Sequence, residues 1–326
     1  MIAKFLHKSK GFPAVKYNMD KVIQGAAELL VMKNFGLIER LRNPGASVIT
    51  NYFSAIASLN PKSRFDQVHV VISKPGKLIP KTTLLNFAER WIYEMGFAKQ
   101  PYLLFFHGDT DNNHLHLVTT DVRLDGSKIE ENFNYKRSAK ATNKILNINP
   151  QQEFLEKIRP FWSYHFYDLP TFQNLLEQLG YRTYISGQDL IIRRYGSVIH
   201  QLNYQKFLDL KSSPNKSVKS KVELGQIFSF AFNNSDVSVK GVFSKRFPGR
   251  PAQLTGIKSG LYDYLASNYN IHFKYHYLKN GYANLIVIDH KHKQVLPYDQ
   301  LIIYQKKTEV KKEIVEPQVI SRRRSR

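Results

Sequence analysis

The stretch FFHGDTDNNHLHLV, residues 105–118, decides how the rest of the chain is read. Successive side chains on a strand point to opposite faces, so His114 and His116 share one face. The apolar run YLLFFHG (102–108) reads as a buried strand ending at His107, and HLHLVTTDV (114–122) reads as its neighbour. The GDTDNN segment between them is short and polar, which predicts a hairpin that returns His107 to the side of the other two histidines. Three imidazoles then converge and leave positions on a metal open for substrate oxygens. Asp109 is the candidate to accept the second ring proton of His107; Asp111 lies in the same loop, less well placed by alternation. The plainer reading is a group of surface histidines. It weakens because two of the three lie on the inward face of an apolar strand.

Outward from the hairpin, RFDQVHVVIS (64–73) predicts a strand ending at the Lys74-Pro75-Gly76 turn. It carries His69, which can serve as a proton acceptor or phosphate ligand, or simply pack. Helical spacing covers 81–95, with Leu84, Leu85, Ala88, Trp91 and Ile92 on one stripe. Further upstream, residues 1–7 read as a strand, Gly11 and Pro13 as a loop, Asp20–Met32 as a helix and Ala46–Leu59 as another. Asp125-Gly126 marks a turn before a basic helix at 135–148. Strand, helices, strand, helix, hairpin, helix is the order of an α+β fold, an antiparallel sheet with helices packed on its faces. After Pro160 a helix (170–180) precedes strands (181–201), and a second helix (258–268) precedes strands through 271–304. Leu175, Tyr181 and Ile185 fall opposite Leu265, Ile271 and Tyr275, as in a duplicated helix-plus-hairpin unit. SSPNKSVKSK (212–221) reads as the linker between them, and the charged tail ending in RRRSR as disordered. The expected division is a first domain at 1–160, a smaller α+β domain at 161–310 and a basic tail at 311–326.

Composition narrows the partners. The 326 residues carry 48 Lys and Arg against 26 Asp and Glu, a net charge of +22. A surface this basic attracts polyanions through phosphate contacts and counterion release. The chain has no cysteine, which excludes disulfides, thiolate zinc sites and cysteine nucleophiles. MIAKFLHKSKGF lacks the apolar core of a signal peptide, and no run reaches the roughly 18 apolar residues of a membrane span, so a cytoplasmic protein without membrane insertion is expected.

H-x-D followed by H-x-H between apolar strands resembles the metal motif of mobilisation relaxases in the HUH endonuclease superfamily, His114-Leu115-His116 being its histidine–hydrophobe–histidine. RFDQVHVVIS, a helix, and then MGFAKQPYLLFFHGDTDNNHLHLVTTDVRLDGSKI are similar to relaxases of the MobP/MobA type, as on Bacteroides-like mobile elements. The resemblance covers roughly residues 1–150. It implies an HUH-type sheet and Mg²⁺ or Mn²⁺ on His107, His114 and His116, other transition metals also suiting imidazole. It further implies site- and strand-specific nicking and strand transfer at an origin of transfer in single-stranded or supercoiled DNA. Accessory mobilisation proteins and a type IV secretion coupling protein are the implied partners. The family's nucleophile is a tyrosine near the N-terminus, and GFPAVKYNMDK (11–21) puts Tyr17 there, with Lys21 one helical turn later as a phosphate contact. Tyr52 and Tyr135 are the fallback tyrosines. A departure is Thr119-Thr120, where related motifs often carry a polar amide, which leaves the partner of His116 open.

Two basic stretches suit DNA. Lys136, Lys140 and Lys144 recur every four residues with Arg137 beside them, a row able to track phosphates or an ordinary solvated face. Lys245, Arg246 and Arg250 surround Phe247, a pattern fit for single-stranded DNA or for a plain loop. Two rival readings remain. One is a rolling-circle replication initiator or transposase, whose tyrosine follows the histidines. The other is a DNA-binding protein with a structural metal.

Overall fold

In a computed structural model the chain divides into two compact units, Met1–Pro150 with Tyr195–Ser197, and Gln151–Arg194 with Val198–Arg326. The described residues are 1–211, 217–243, 254–277 and 283–309.

The first unit is built on one antiparallel sheet. Its strands are β1 (Ile2–Phe5), β2 (Ala27–Lys33), β3 (Val68–Ser73), β4 (Tyr102–His107) and β5 (His114–Thr119), in the spatial order β1-β3-β5-β4-β2. Alternation sorts the side chains into two cores. Val68, Val70 and Ile72 of β3 and Leu115 and Leu117 of β5 face α3 (Lys81–Glu94) and α4 (Asn134–Ile145), around the fully buried Trp91. Leu103, Phe105 and Val118 face the other way, onto α1 (Pro13–Ile23) and α2 (Ala46–Ala57), where Phe12 stacks on Phe53 at 4.6 Å. Burying each aromatic of this kind contributes roughly 1.5–3 kcal/mol.

The helix expected over Asp20–Met32 is instead the end of α1 followed by β2. Pro13 at the start of α1 has the fixed φ a first helical turn accepts, so the helix begins earlier than its apolar stripe suggests. Gly25, at φ +69°, ends it, with Ala26 N–H returning to the Lys21 carbonyl at 2.9 Å. Leu29–Met32 then pairs with β4 through an irregularity between Leu29 and Val31. Four consecutive apolar residues fit helix or strand equally, and the glycine decides.

The second unit begins with α5 (Pro150–Ile158), β6 (His165–Phe166) and α6 (Leu169–Gln178), followed by the sheet β7-β8-β9 (Arg182–Ser186, Asp189–Arg194, Ser197–Asn203). α7 (Tyr204–Lys211), α8 (Ser217–Asn234) and the pair β10 (Lys240–Phe243) and β11 (Leu254–Lys258) come next. α9 (Gly260–Tyr269) leads into β12 (Ile271–Tyr277), β13 (Ala283–Asp289), β14 (Gln294–Pro297) and α10 (Tyr298–Glu309). β12, β13, β14 and β6 form one four-stranded sheet. Two sequence expectations are corrected here. Residues 217–221 open α8 rather than extend a linker, because Leu224, Ile227, Phe228 and Ala231 form a buried helical stripe that anchors the whole segment. Residues 298–304 are helical rather than strand: Pro297 closes β14, and Leu301 packs into the core that α8 and α9 share. The rest of the linker, 212–216, and the tail, 311–326, lie outside the described residues.

Candidate metal centre and DNA-processing site

The histidines converge at the end of the sheet where β4 leaves and β5 enters. His107 pairs directly with His114, and His116 with Phe105. This register puts all three on the face covered by α1 and α2. Their ring centroids lie 4.4–5.1 Å apart, and one nitrogen from each can be chosen so that all lie within 4.8 Å of one another.

The outer ring nitrogens fix which nitrogen is offered. His114 Nδ1–H donates to the Asn112 carbonyl at 2.9 Å. His116 Nδ1 shares a proton with His69 Nε2 across 2.7 Å. His107 Nδ1 is 4.0 Å from Asp109 Oδ1, while its Nε2 is buried without a hydrogen-bond partner. Three Nε2 atoms are thus left for a common ligand, and an orphaned buried nitrogen is what a metal position between them would satisfy. Burial pushes the His107 imidazole down to about 4, helped by the Lys21 and His114 charges. Burial, then His69 and His107, pushes His116 down to about 2, and burial alone brings His69 to about 4. His107 and His116 are therefore neutral at pH 7, the form that binds a cation. The donor set fits a divalent metal ion.

His69 comes in from β3, where it pairs across from Val118 on the histidine face. It takes the place beside His116 that Thr119 and Thr120 do not fill; Thr119 Oγ1 donates instead to the Pro101 carbonyl at 2.7 Å. His69 Nε2 is thus in hydrogen-bond contact with His116 Nδ1. Asp109 is nearer to Lys21 than to His107: Lys21 Nζ donates to Asp109 Oδ2 at 2.6 Å. Burial alone would lower the Lys21 pKa, but the Asp109 hydrogen bond, followed by Tyr17, raises it. Reaching a phosphate would require Lys21 to leave this ion pair.

Tyr17 projects from α1 with half of its surface exposed, its ring centroid 6.5 Å from that of His107. The helix is held by side chains outside it. Ala14 N–H donates to Gln67 Oε1 at 2.9 Å and Gly11 N–H to Asp66 Oδ2 at 2.7 Å. Gln67 and Asp66 directly precede β3, so the strand that carries His69 also fixes the helix that carries Tyr17. The sequence reading missed Gln67; its type is unremarkable, and its role appears only once β3 and α1 are adjacent. Asn112 was missed too, although an Asn-Asn pair before a strand is a signal for loop-closing side chains.

The basic row of α4 is not brought to this site. α4 covers the opposite face of the sheet. Lys144 binds both oxygens of Glu94, and Arg137 binds the Met95 and Glu130 carbonyls. Lys136 and Lys140 have no ion pair among the described residues; with Glu130, Asn132, Phe133 and Arg137 they line an open depression of about 500 Å³. Tyr135 is on this side as well, packed at its edge against Phe5. Tyr52, on α2, donates to the Asn34 carbonyl at 3.3 Å. Lys245, Arg246 and Arg250 lie outside the described residues.

Residues 33–148 match the family model of the relaxase MobA/VirD2-like nuclease domain. The match to this relaxase domain runs from the end of β2 through α4, taking in His69, Asp109 and the three histidines; α1 with Tyr17 precedes it. The similarity supports a relaxase-type DNA endonuclease acting in mobilisation, with DNA as its partner. No curated protein and no solved structure matches the chain. Among the described residues no helix is long and apolar enough to cross a membrane.

Proposed function

We propose that this chain is a site- and strand-specific relaxase that nicks and rejoins one DNA strand at an origin of transfer, starting conjugative mobilisation. The observation that carries the reading is the half-exposed Tyr17 on the histidine face, its ring 6.5 Å from His107. Tyr17 Oη attacks the scissile phosphorus and the bond to the 3′ oxygen breaks. The 5′ phosphate stays on Tyr17, and the phenol's proton ends, by way of solvent, on the departing 3′ oxygen. The phosphotyrosine bond conserves the energy of the phosphodiester, so a 3′ hydroxyl can later reverse the step. A Mg²⁺ or Mn²⁺ ion on His107, His114 and His116 would draw charge from the phosphate and stabilise the transition state. His69 holds His116 in its tautomer, and Asp109 holds Lys21 beside Tyr17. Lys136 and Lys140, on the opposite face of the sheet, are candidates for phosphate contacts away from the scissile bond, and Lys245, Arg246 and Arg250 are further candidates. Accessory mobilisation proteins and a type IV secretion coupling protein complete the proposed machinery, in the cytoplasm of a host of Bacteroides-like elements.

The test is covalent capture. The protein is incubated with Mn²⁺ and a pool of single-stranded DNA of randomised sequence, denatured, and the attached DNA sequenced and its residue mapped by mass spectrometry. The expected result is one enriched sequence joined through its 5′ end to Tyr17, lost in Tyr17→Phe with cation binding intact. A rolling-circle initiator would keep capture in Tyr17→Phe and lose it in Tyr135→Phe. A non-catalytic DNA-binding protein would give no adduct with any divalent ion.

A further inference from the structure

The loop between β3 and α3, Lys74-Pro75-Gly76-Lys77-Leu78-Ile79-Pro80, leaves the sheet at the same end as the histidines: Ser73, its last strand residue, pairs with His114. The histidine hairpin holds it from the side. Gly76 N–H donates to Asn112 Oδ1 at 2.6 Å, Asn113 N–H donates to the Gly76 carbonyl at 3.4 Å, and Asn113 Nδ2 donates to the Lys77 carbonyl at 2.8 Å. On its other flank Ile79 packs against the core under α3. Between these anchors Leu78 is 99 % exposed. A single exposed leucine ordinarily calls for no explanation. This one is presented to solvent by a loop whose backbone is bonded to the segment carrying two of the metal-site histidines. Lys74 and Lys77, beside it, have no ion pair among the described residues.

Nicking by a tyrosine needs the scissile strand free of its complement, so that the phosphate can reach both the histidines and the phenol. DNA in a supercoiled circle must therefore be opened locally. An apolar side chain inserted beside an unstacked base stabilises the opened form, and cations beside it hold the backbone.

We propose that Leu78 is an apolar wedge that packs against unpaired bases next to the scissile phosphate, with Lys74 and Lys77 on the neighbouring phosphates. The partner is the opened segment of duplex DNA, and the wedge acts in strand opening rather than in bond breaking. The inference rests on the nicking function proposed above.

The wild-type chain, Leu78→Ala and Leu78→Met are compared with Mn²⁺ on the captured sequence, once as a single-stranded oligonucleotide and once within a negatively supercoiled circle. Leu78→Ala is expected to nick the circle about tenfold more slowly and the oligonucleotide within about twofold of wild type, with Leu78→Met restoring the circle. The exposure of Leu78 makes misfolding of these variants no concern, and an unchanged melting temperature checks it. Equal slowing on both substrates, or none on the circle, overturns the wedge while leaving nicking intact. A wild-type chain that captures no DNA overturns nicking itself, and the wedge with it.

Discussion

At the residue scale, the candidate metal centre depends on what stands behind each imidazole. His114 is oriented by a backbone carbonyl and His116 by His69. His69→Phe removes that partner and is expected to weaken divalent-cation affinity by about 10–100-fold, read by titration calorimetry with Mn²⁺. His69→Gln, which keeps a polar group at the position, should recover part of the loss. An affinity unchanged in the phenylalanine variant would mean that His69 only packs. The depressed histidine pKa values give a second expectation, for the metal-free protein. His69 and His107 are lowered from 6.5 to about 4 and His116 to about 2, so the unfolded chain binds more protons than the folded one below pH 6.5. Stability of the metal-free first unit should therefore fall as pH drops from 6.5 toward 4. Added Mn²⁺ should raise the melting temperature at pH 7 by mass action and do so less near pH 4, where a proton competes for His107.

At the element scale, α1 is fastened by residues foreign to it. Gln67→Ala leaves the Ala14 N–H without its buried acceptor and is expected to destabilise the fold by about 1–3 kcal/mol. Gln67→Glu keeps the acceptor and adds a charge that a helix N-terminus favours, so chemical denaturation should place it near wild type. The same element marks the limit of what the sequence discloses. β3, β4 and β5 were legible because apolar runs, alternation and turn residues agree over short distances. So was the gathering of the three histidines, since hairpin register is a local property. α1 and β2 were misjudged because the apolar residues around Leu29–Met32 outweighed Gly25. α8 and the helical start of α10 went unread because each depends on the other's buried face. Gln67 and the Asp109–Lys21 pair join positions more than fifty residues apart, and no periodicity records such contacts.

At the scale of the whole molecule, one histidine of the second unit has the opposite pH sense to those of the histidine cluster. In the second, the buried Asp289 accepts from His292 Nδ1 at 2.7 Å, and His292 Nε2 stands 3.2 Å from Glu223. The hydrogen bond to Asp289 raises the His292 pKa above 6.5; burial opposes it, and the Asp289 and Glu223 charges add to it. That contribution is complete below pH 6.5 and fades as pH climbs through the raised value. His292→Gln should accordingly lower the melting temperature more at pH 6 than at pH 9, whereas an equal loss at both would remove the ionic contribution.

The strand order of the sheet carries a consequence for biosynthesis. β1 and β2 form its two outer edges, and both precede the strands they pair with. A ribosome releasing this chain emits the edges and the helix between them before the strands that receive them. Only after Thr119 has emerged can β5 enter between β3 and β4 and close the sheet. Tyr17 is made early and seated late, so in the nascent chain it stays away from the histidines until the sheet around them is complete.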